Sequence, residues 1–398
     1  MSRYSRGKQP YAPKIEHVEV PEDHVKLRAI LFGLAILLAV VAFGFGLNSL
    51  LTPETGWKEV EATGSVSGQI TLQYCYGAGE QSTAAERRQV TDVYSGALTQ
   101  AEQQLSQAPG NGVNLYTLSA NPNQAVTVEP VLYHALERFL ASGSRAIYYG
   151  PLYSRYYALF ASHYDEEASL YDPNRSQDSA AFAAEIAAFA RDPAQIGLEL
   201  LGENQVRLNV SADYLAYLQE NELDILLDFG FVKNAFVIDA VADALTEAGL
   251  TNAVLTSTDG FSRSLCSDSF GVNLLEPTDT GFRQAAAASY SGPGAVAALR
   301  AFPVDSGDDM RFYTYADGTI CPPVLDETTG LLTAANANLV LFGRGDLGTL
   351  ALQAQQALAS WTLDGASYLY SRENRVCCSD PDVTAAELFE GMQLEKIK

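Results

Sequence analysis

The chain is short of positive charge: 25 lysines and arginines face 48 aspartates and glutamates, a formal net charge of −23 over 398 residues. A surface with that balance has little to neutralise a phosphate backbone, which excludes nucleic-acid binding as a function class. Histidine is scarce as well, with 4 in the chain, and only His134 and His163 fall beyond the first sixty residues. The 5 cysteines are Cys75, Cys266, Cys321, Cys377 and Cys378, with no Cys-x-x-Cys among them. A zinc site is therefore not expected. An odd count leaves at least one thiol outside any disulfide framework, and adjacent Cys377 and Cys378 cannot join without a strained ring. What the chain does have is ordinary globular material: 47% apolar residues, enough at this length for a substantial core.

The apolar residues are concentrated first near the N-terminus. Ala29 to Leu47 carries no charged side chain, and the apolar character continues to Leu51. About 20 such residues cross a bilayer core as a helix. Arg3, Arg6, Lys8, Lys14, Lys26 and Arg28 precede the run. The positive-inside rule then places the N-terminus in the cytoplasm and everything after about Thr52 outside it. A cleaved signal peptide fits less well, because the leader and the apolar run are too long and no Ala-x-Ala site follows. The expected organisation is a cytoplasmic tail at 1–26, a single-pass membrane anchor at 27–51 and one extracytoplasmic domain at 57–398.

Within that domain the periodicities alternate between 2 and 3.6 residues. Strands are expected near Gly68–Tyr76, Val296–Phe302, Phe312–Tyr315, Leu339–Phe342, Ser367–Tyr370 and Arg375–Cys377. Leu198–Leu201 and Gln205–Val210 read as a hairpin about Gly202-Glu203-Asn204. Helices are expected over Ser82–Leu105, Pro130–Leu140, Asp178–Phe189 and Leu347–Ser360. A strand–turn–helix–strand run spans Leu223 to Ser257: a buried strand at Ile225–Leu227, a turn at Gly230, a helical face from Phe236 to Ala248 stopped by Gly249, and a strand at Ala253–Leu255.

The segment Leu227-Asp228-Phe229-Gly230-Phe231-Val232-Lys233-Asn234-Ala235-Phe236-Val237-Ile238-Asp239 resembles a signature of the FAD:protein FMN transferases, the ApbE-like family. That signature reads Leu-Asp-Leu-Gly-Gly-Ile-Ala-Lys-Gly-Tyr-Ala-Val-Asp. Its helix leads to Ala-Gly-Val-Thr-Asn-Ala, matched here by Ala248 to Ala253. Asp317-Gly318-Thr319 and Leu325-Asp326-Glu327-Thr328-Thr329-Gly330 resemble the family's Asp-Gly … His-Ile-Leu-Asp-Pro-x-Thr-Gly stretch, and Gly150-Pro151-Leu152 matches a Gly-Pro-Leu after its second helix. The resemblance implies an α+β fold, a single mixed-sheet domain of the flavin transferase type. It also implies FAD and Mg²⁺ as cofactors, and transfer of FMN to a Thr or Ser of a membrane electron-transfer flavoprotein, the implied partner. By the same resemblance Gly230, Lys233, Asp239, Asp259, Asp326, Thr329 and Gly330 are the expected cofactor-binding residues.

The chemistry-bearing positions depart from that pattern. Breaking a pyrophosphate needs charge neutralisation and a proton acceptor for the incoming hydroxyl. The motif's His falls on Pro323 and its Pro on Glu327. The family's Gly-Gly-Asp becomes Thr258-Asp259-Gly260. Its Ala-Asp-Ala-Leu-Ala-Thr-Ala-Leu, which supplies metal ligands, is Ala351 to Leu358 here, with Leu352 for the Asp and Gln356 for the Thr. The expectation is a relative that keeps the scaffold, has no assigned catalytic or metal residue, and binds a ligand or protein partner. The alternative is a working transferase that draws on acids such as Asp259, Asp305, Asp308 or Asp309.

Several of these residues also admit plain readings. Lys233 and Asp239 stand either at a phosphate or ribose, or solvated at the start of a surface helix. Asp326, Thr329 and Gly330 line a flavin cleft or form a tight turn. The tyrosines 148, 149, 153, 156, 157 and 164 read mainly as core, and His134 as a partly buried helix residue.

Overall fold

The computed structural model describes residues 55–64, 68–78, 82–278, 281–335, 337–360, 371–372, 375–376 and 393–396. The expected tail, the expected anchor, the strand at 367–370 and the Cys377–Cys378 pair lie outside them. Among the described residues no helix is long and apolar enough to cross a membrane. Thr55–Lys398 forms one compact unit.

The chain opens with strands β1 (Gly56–Val60) and β2 (Ile70–Tyr76) and the long helix α1 (Thr83–Gln104). Helix α2 (Leu115–Ala120), strand β3 (Ala125–Thr127) and helix α3 (Pro130–Ser142) follow; a 3-10 turn at Ala146–Tyr149 then runs into α4 (Gly150–Phe160). Helices α5 (Asp165–Ser169) and α6 (Gln177–Arg191) lead to the hairpin β4 (Ile196–Gly202) and β5 (Gln205–Val210), and then to α7 (Ala212–Glu220). Helix α8 (Lys233–Glu247) precedes β6 (Ala253–Ser257), β7 (Phe261–Ser264), the long hairpin β8 (Ser269–Thr278) and β9 (Gly281–Ser291), and β10 (Gly294–Arg300). The short pair β11 (Tyr313–Thr314) and β12 (Ile320–Cys321), strand β13 (Asn338–Gly343) and helix α9 (Leu347–Ser360) complete the core.

The central sheet runs in the order β1-β2-β6-β7-β10-β13, with β3-β5-β4 as a separate three-stranded sheet. The α+β class is as expected. The mixture of strand directions is not, because every strand pairing among the described residues is antiparallel. Successive residues of a strand face opposite sides, and β10 and β13 use this to separate two cores. Ala295, Ala297, Leu339 and Leu341 pack into the main core with the helices, whereas Val296, Val340 and Phe342 meet Leu274 and Tyr290 of the β8–β9 hairpin. Burial of that order, at roughly 1.5–3 kcal/mol for each large apolar side chain, is what holds sheet and helices together.

Local signals explain most helix ends. Ser82 caps α1 by accepting the Ala85 N–H, and Pro130 occupies the first turn of α3, which ends at Gly143 in the left-handed region. Three expectations need correction. Ile225–Leu227 is no strand: Leu226 and Leu227 donate to Ser119 Oγ at 3.3 and 3.2 Å, and Asp228 N–H donates to Ile147 O at 2.9 Å. Side-chain and turn acceptors thus replace a ladder for this buried, extended segment. The β8–β9 hairpin and α7 have no counterpart among the expected elements; the alanine run 285–288 carries little β signal, although Ser211 caps α7 through the Tyr214 N–H. His134 is exposed and pairs with Glu137 rather than lying partly buried.

Candidate functional site

A cleft of about 250 Å³ opens where the start of α8 meets the β6–β7 turn and the segment before β11. Its aromatic wall comprises Tyr157, Phe160 and Phe231, its polar side Gln69, Asn234, Thr258 and Asp259, and its cations Lys233 and Arg311; buried Pro323 and exposed Met310 complete the lining. Three of the seven expected residues, Gly230, Lys233 and Asp259, therefore come together here.

Gly230 forms the floor. Its φ is +58°, and an added Cβ would fall 2.1 Å from Cζ of the Tyr153 ring, so only glycine fits. Its N–H donates to Asp228 Oδ1 at 2.8 Å. Asp228 is fully buried, and its Oδ2 has no hydrogen-bond partner among the described residues. Burial pushes its carboxyl up to about 6, opposed by the Gly230 amide, Lys233 and Tyr157. Burial also pulls the Lys233 ammonium below its ordinary value, with Asp228 and Glu102 opposing. The Lys233 backbone N–H donates to Gly230 O, and its ammonium donates no hydrogen bond among the described residues.

Phe231 stands where the signature has its second glycine. Its ring lies edge-on to Tyr153 and Tyr157, with centroids 5.2 and 6.1 Å apart, and closes space that a glycine leaves open. Counted without a gap, the signature's Lys falls on Asn234, and Lys233 precedes it by one position; both line the cleft. Asn234 Nδ2 donates to Asp259 Oδ2 at 2.8 Å and to Gln69 Oε1 at 3.0 Å, while Ser257 Oγ donates to Asp259 Oδ1. Burial pushes the Asp259 carboxyl up, with Arg311, Ser257 and Asn234 drawing it back. Two departures from the family pattern, Asn234 and Asp259, are thus hydrogen-bonded to each other.

The other four expected residues stand elsewhere. Asp239 is fully buried, not solvated at a helix start. Its carboxylate accepts the N–H groups of Leu347 and Gly348 at 2.9 and 2.8 Å and pairs with Arg263, so it caps helix α9 from within α8. Asp326, Thr329 and Gly330 build a turn. Asp326 accepts from Thr328 N at 2.8 Å and from Thr329 Oγ1 at 2.6 Å, and its backbone carbonyl accepts from Gly330 N at 2.8 Å. Gly330, at φ +75°, leaves its carbonyl to the Tyr156 hydroxyl. Among the acids considered for rescue, Asp308 is held by Arg300 at 2.7 and 2.8 Å, and Asp305 caps a short 3-10 turn. Tyr148, Tyr149, Tyr153 and Tyr156 are core, Tyr157 faces the cleft, and Tyr164 is 71% exposed.

Arg311 was not singled out in the sequence. Only the tertiary fold carries it to the cleft, where its Nη1 donates to Thr258 O at 3.1 Å and its Nη2 to Asp259 O at 3.4 Å. Burial pulls this guanidinium down, opposed by Asp259.

The residues present fit a flavin-type ligand: aromatic rings, tilted against one another by 51 and 87°, for a ring system and two cations for a phosphate. They do not fit Mg²⁺. Leu352, at the position of the family's Asp, is buried at 2%, and exposed Gln356 replaces its Thr. A hard cation takes carboxylate oxygens, and neither of these side chains supplies one.

No protein-family model matches the sequence, and no curated protein matches it. Solved structures do match. The flavin transferase ApbE from Vibrio cholerae superposes with a TM-score of 0.51 at 14% identity, covering 76% of this chain and 87% of that one. The ApbE protein from Thermotoga maritima gives a TM-score of 0.52 at 13% identity, covering 77% of this chain and 88% of that one. At such low identity the likeness establishes architecture, and the architecture of this chain is the ApbE flavin transferase fold.

Proposed function

We propose that this protein is an ApbE-type scaffold that holds a flavin nucleotide in the cleft around Gly230, Lys233, Asp259 and Arg311 and does not transfer FMN from FAD. The observation that carries the reading is Pro323. It lines the cleft at the position of the motif's His, and its ring nitrogen can neither accept nor donate a proton. The poor donor set for Mg²⁺ supports the same conclusion. The charged leader and the apolar run from Ala29 to Leu51 support a single-pass anchor at 27–51 that displays the domain outside the cytoplasm, beside a membrane flavoprotein or electron-transfer partner.

One observation favours the alternative of a working transferase. Asp259 faces the cleft with its carboxyl pushed up by burial, which suits a general base. The two readings separate in one assay. Full-length protein in detergent is incubated with FAD, Mg²⁺ and an acceptor flavoprotein, and covalent flavin is read by in-gel fluorescence. The scaffold reading expects none above a protein-free control, alongside saturable FAD binding by calorimetry. Transfer by the wild type that Asp259→Asn abolishes would establish the enzyme instead.

A further inference from the structure

We propose that the cleft binds its phosphate-bearing ligand without a divalent metal ion, the neutralising charge being supplied by Arg311 together with Lys233. This rests on the flavin-nucleotide reading above and deepens it, by naming the phosphate as the recognised group and protein cations as its counterions.

Charge is the first argument. The protein as a whole carries −23, a field that repels anions. The cleft lining itself carries two cations and the single carboxylate of Asp259, although Asp308 Oδ1 lies 3.4 Å from Arg311 and Asp228 and Glu102 act on Lys233 from outside the lining. Both oxygens of the Asp259 carboxylate are engaged, since they accept from Asn234 and Ser257.

Geometry is the second. Arg311 is a fixed donor: Thr258 O and Asp259 O accept from it at 3.1 and 3.4 Å, and Asp308 Oδ1 lies 3.4 Å from Nη1. Those contacts engage three of the five N–H groups of a guanidinium. The Nε hydrogen and one Nη2 hydrogen donate to nothing among the described residues, on a side chain that lines the cleft. A planar fork held in place suits a phosphate better than a mobile ammonium does. Lys233, whose ammonium makes no hydrogen bond among the described residues, adds a second charge from the first turn of α8.

The third argument is the lost donor set. Where the family pattern has an Asp and a Thr, this chain has buried Leu352 and exposed Gln356, neither of them in the cleft lining. A pyrophosphate or phosphate monoester entering this cleft meets N–H donors, and these satisfy the charge that a metal ion otherwise takes up.

The test compares FMN with riboflavin, which share the ring and differ by the phosphate. Both are titrated into full-length protein in detergent by flavin fluorescence quenching, in EDTA and in excess Mg²⁺, at low and high salt. The expected result is FMN binding equal within twofold in EDTA and Mg²⁺, at least about tenfold tighter than riboflavin, and weakened by salt. Arg311→Met should bring FMN down to the riboflavin level, and Arg311→Lys should recover part of the difference. Because Arg311 also ties down the β6–β7 turn, Lys233→Met serves as the second variant, and thermal unfolding checks that both fold. FMN binding that requires Mg²⁺ overturns the proposal and leaves the flavin reading standing. Equal affinity for FMN and riboflavin does the same. Failure of FMN, FAD and riboflavin to bind under any condition overturns both.

Discussion

Asp239→Ala probes the link between α8 and α9. The wild-type carboxylate is fully buried, accepts two α9 amides at 2.9 and 2.8 Å, and pairs with Arg263, whose side chain is 19% exposed. Removing it leaves a largely buried guanidinium with only the longer, 3.9 Å contact to Asp243 Oδ1, which costs about 3–5 kcal/mol. It also removes the acceptor of two first-turn amides of α9, worth roughly 1 kcal/mol even with the Asp346 cap on Thr349 N–H kept. These terms share one carboxylate and do not add fully, so the expected loss is about 4 kcal/mol. For a domain of this size, at about 2.1 cal/mol/K of unfolding entropy per residue, that corresponds to a fall in Tm of roughly 6 °C. The assay is urea unfolding followed by tyrosine and tryptophan fluorescence, with the midpoint compared at a common slope. A double-variant cycle with Arg263→Met separates the pair from the cap, because Arg263→Met alone leaves Asp239 with its two amides. The expected coupling energy is at least about 1 kcal/mol. A loss below about 1 kcal/mol, or full additivity of the two substitutions, would refute a structural role for Asp239 and return it to the list of ligand residues.

Three further outcomes are expected. Gly230→Ala places a Cβ inside the Tyr153 ring at a left-handed φ, and should cost about 3 kcal/mol in unfolding experiments along with most flavin binding. Asp228 has a folded pKa of about 6 against 3.8 unfolded, so its contribution is complete below about pH 4 and is lost as pH rises through 6. Asp228→Asn should therefore match the wild type at pH 4 and exceed it above pH 6 by up to about 3 kcal/mol, read from unfolding midpoints across pH. Asp326→Ala removes the turn contacts to Thr328 and Thr329, and should cost about 1 kcal/mol while changing flavin affinity less than twofold; a tenfold loss of affinity would place that turn at the ligand.

What the sequence determined by itself was local and periodic. Helix Leu347–Ser360, the hairpin about Gly202-Glu203-Asn204 and the strands at β2, β10 and β13 follow from spacing, because those residues bury one face against a neighbour. The Asp228–Asp239 signature pointed to the fold and to one side of the cleft. Tertiary structure decided the rest, since the energies involved arise between segments distant in the chain. Asp239 and Gly348 are 109 residues apart, so no local pattern distinguishes a helix cap from a solvated acid. Ile225–Leu227 has the composition of a strand, but the amides of Leu226 and Leu227 donate to Ser119 Oγ and that of Asp228 to Ile147 O, which leaves them out of any ladder. Arg311 reads as one basic residue in an acidic loop, and it becomes a site residue only because the β6–β7 turn supplies two carbonyls that hold it at the cleft. Spacing fixes which residues are buried, whereas which buried groups meet depends on long-range packing.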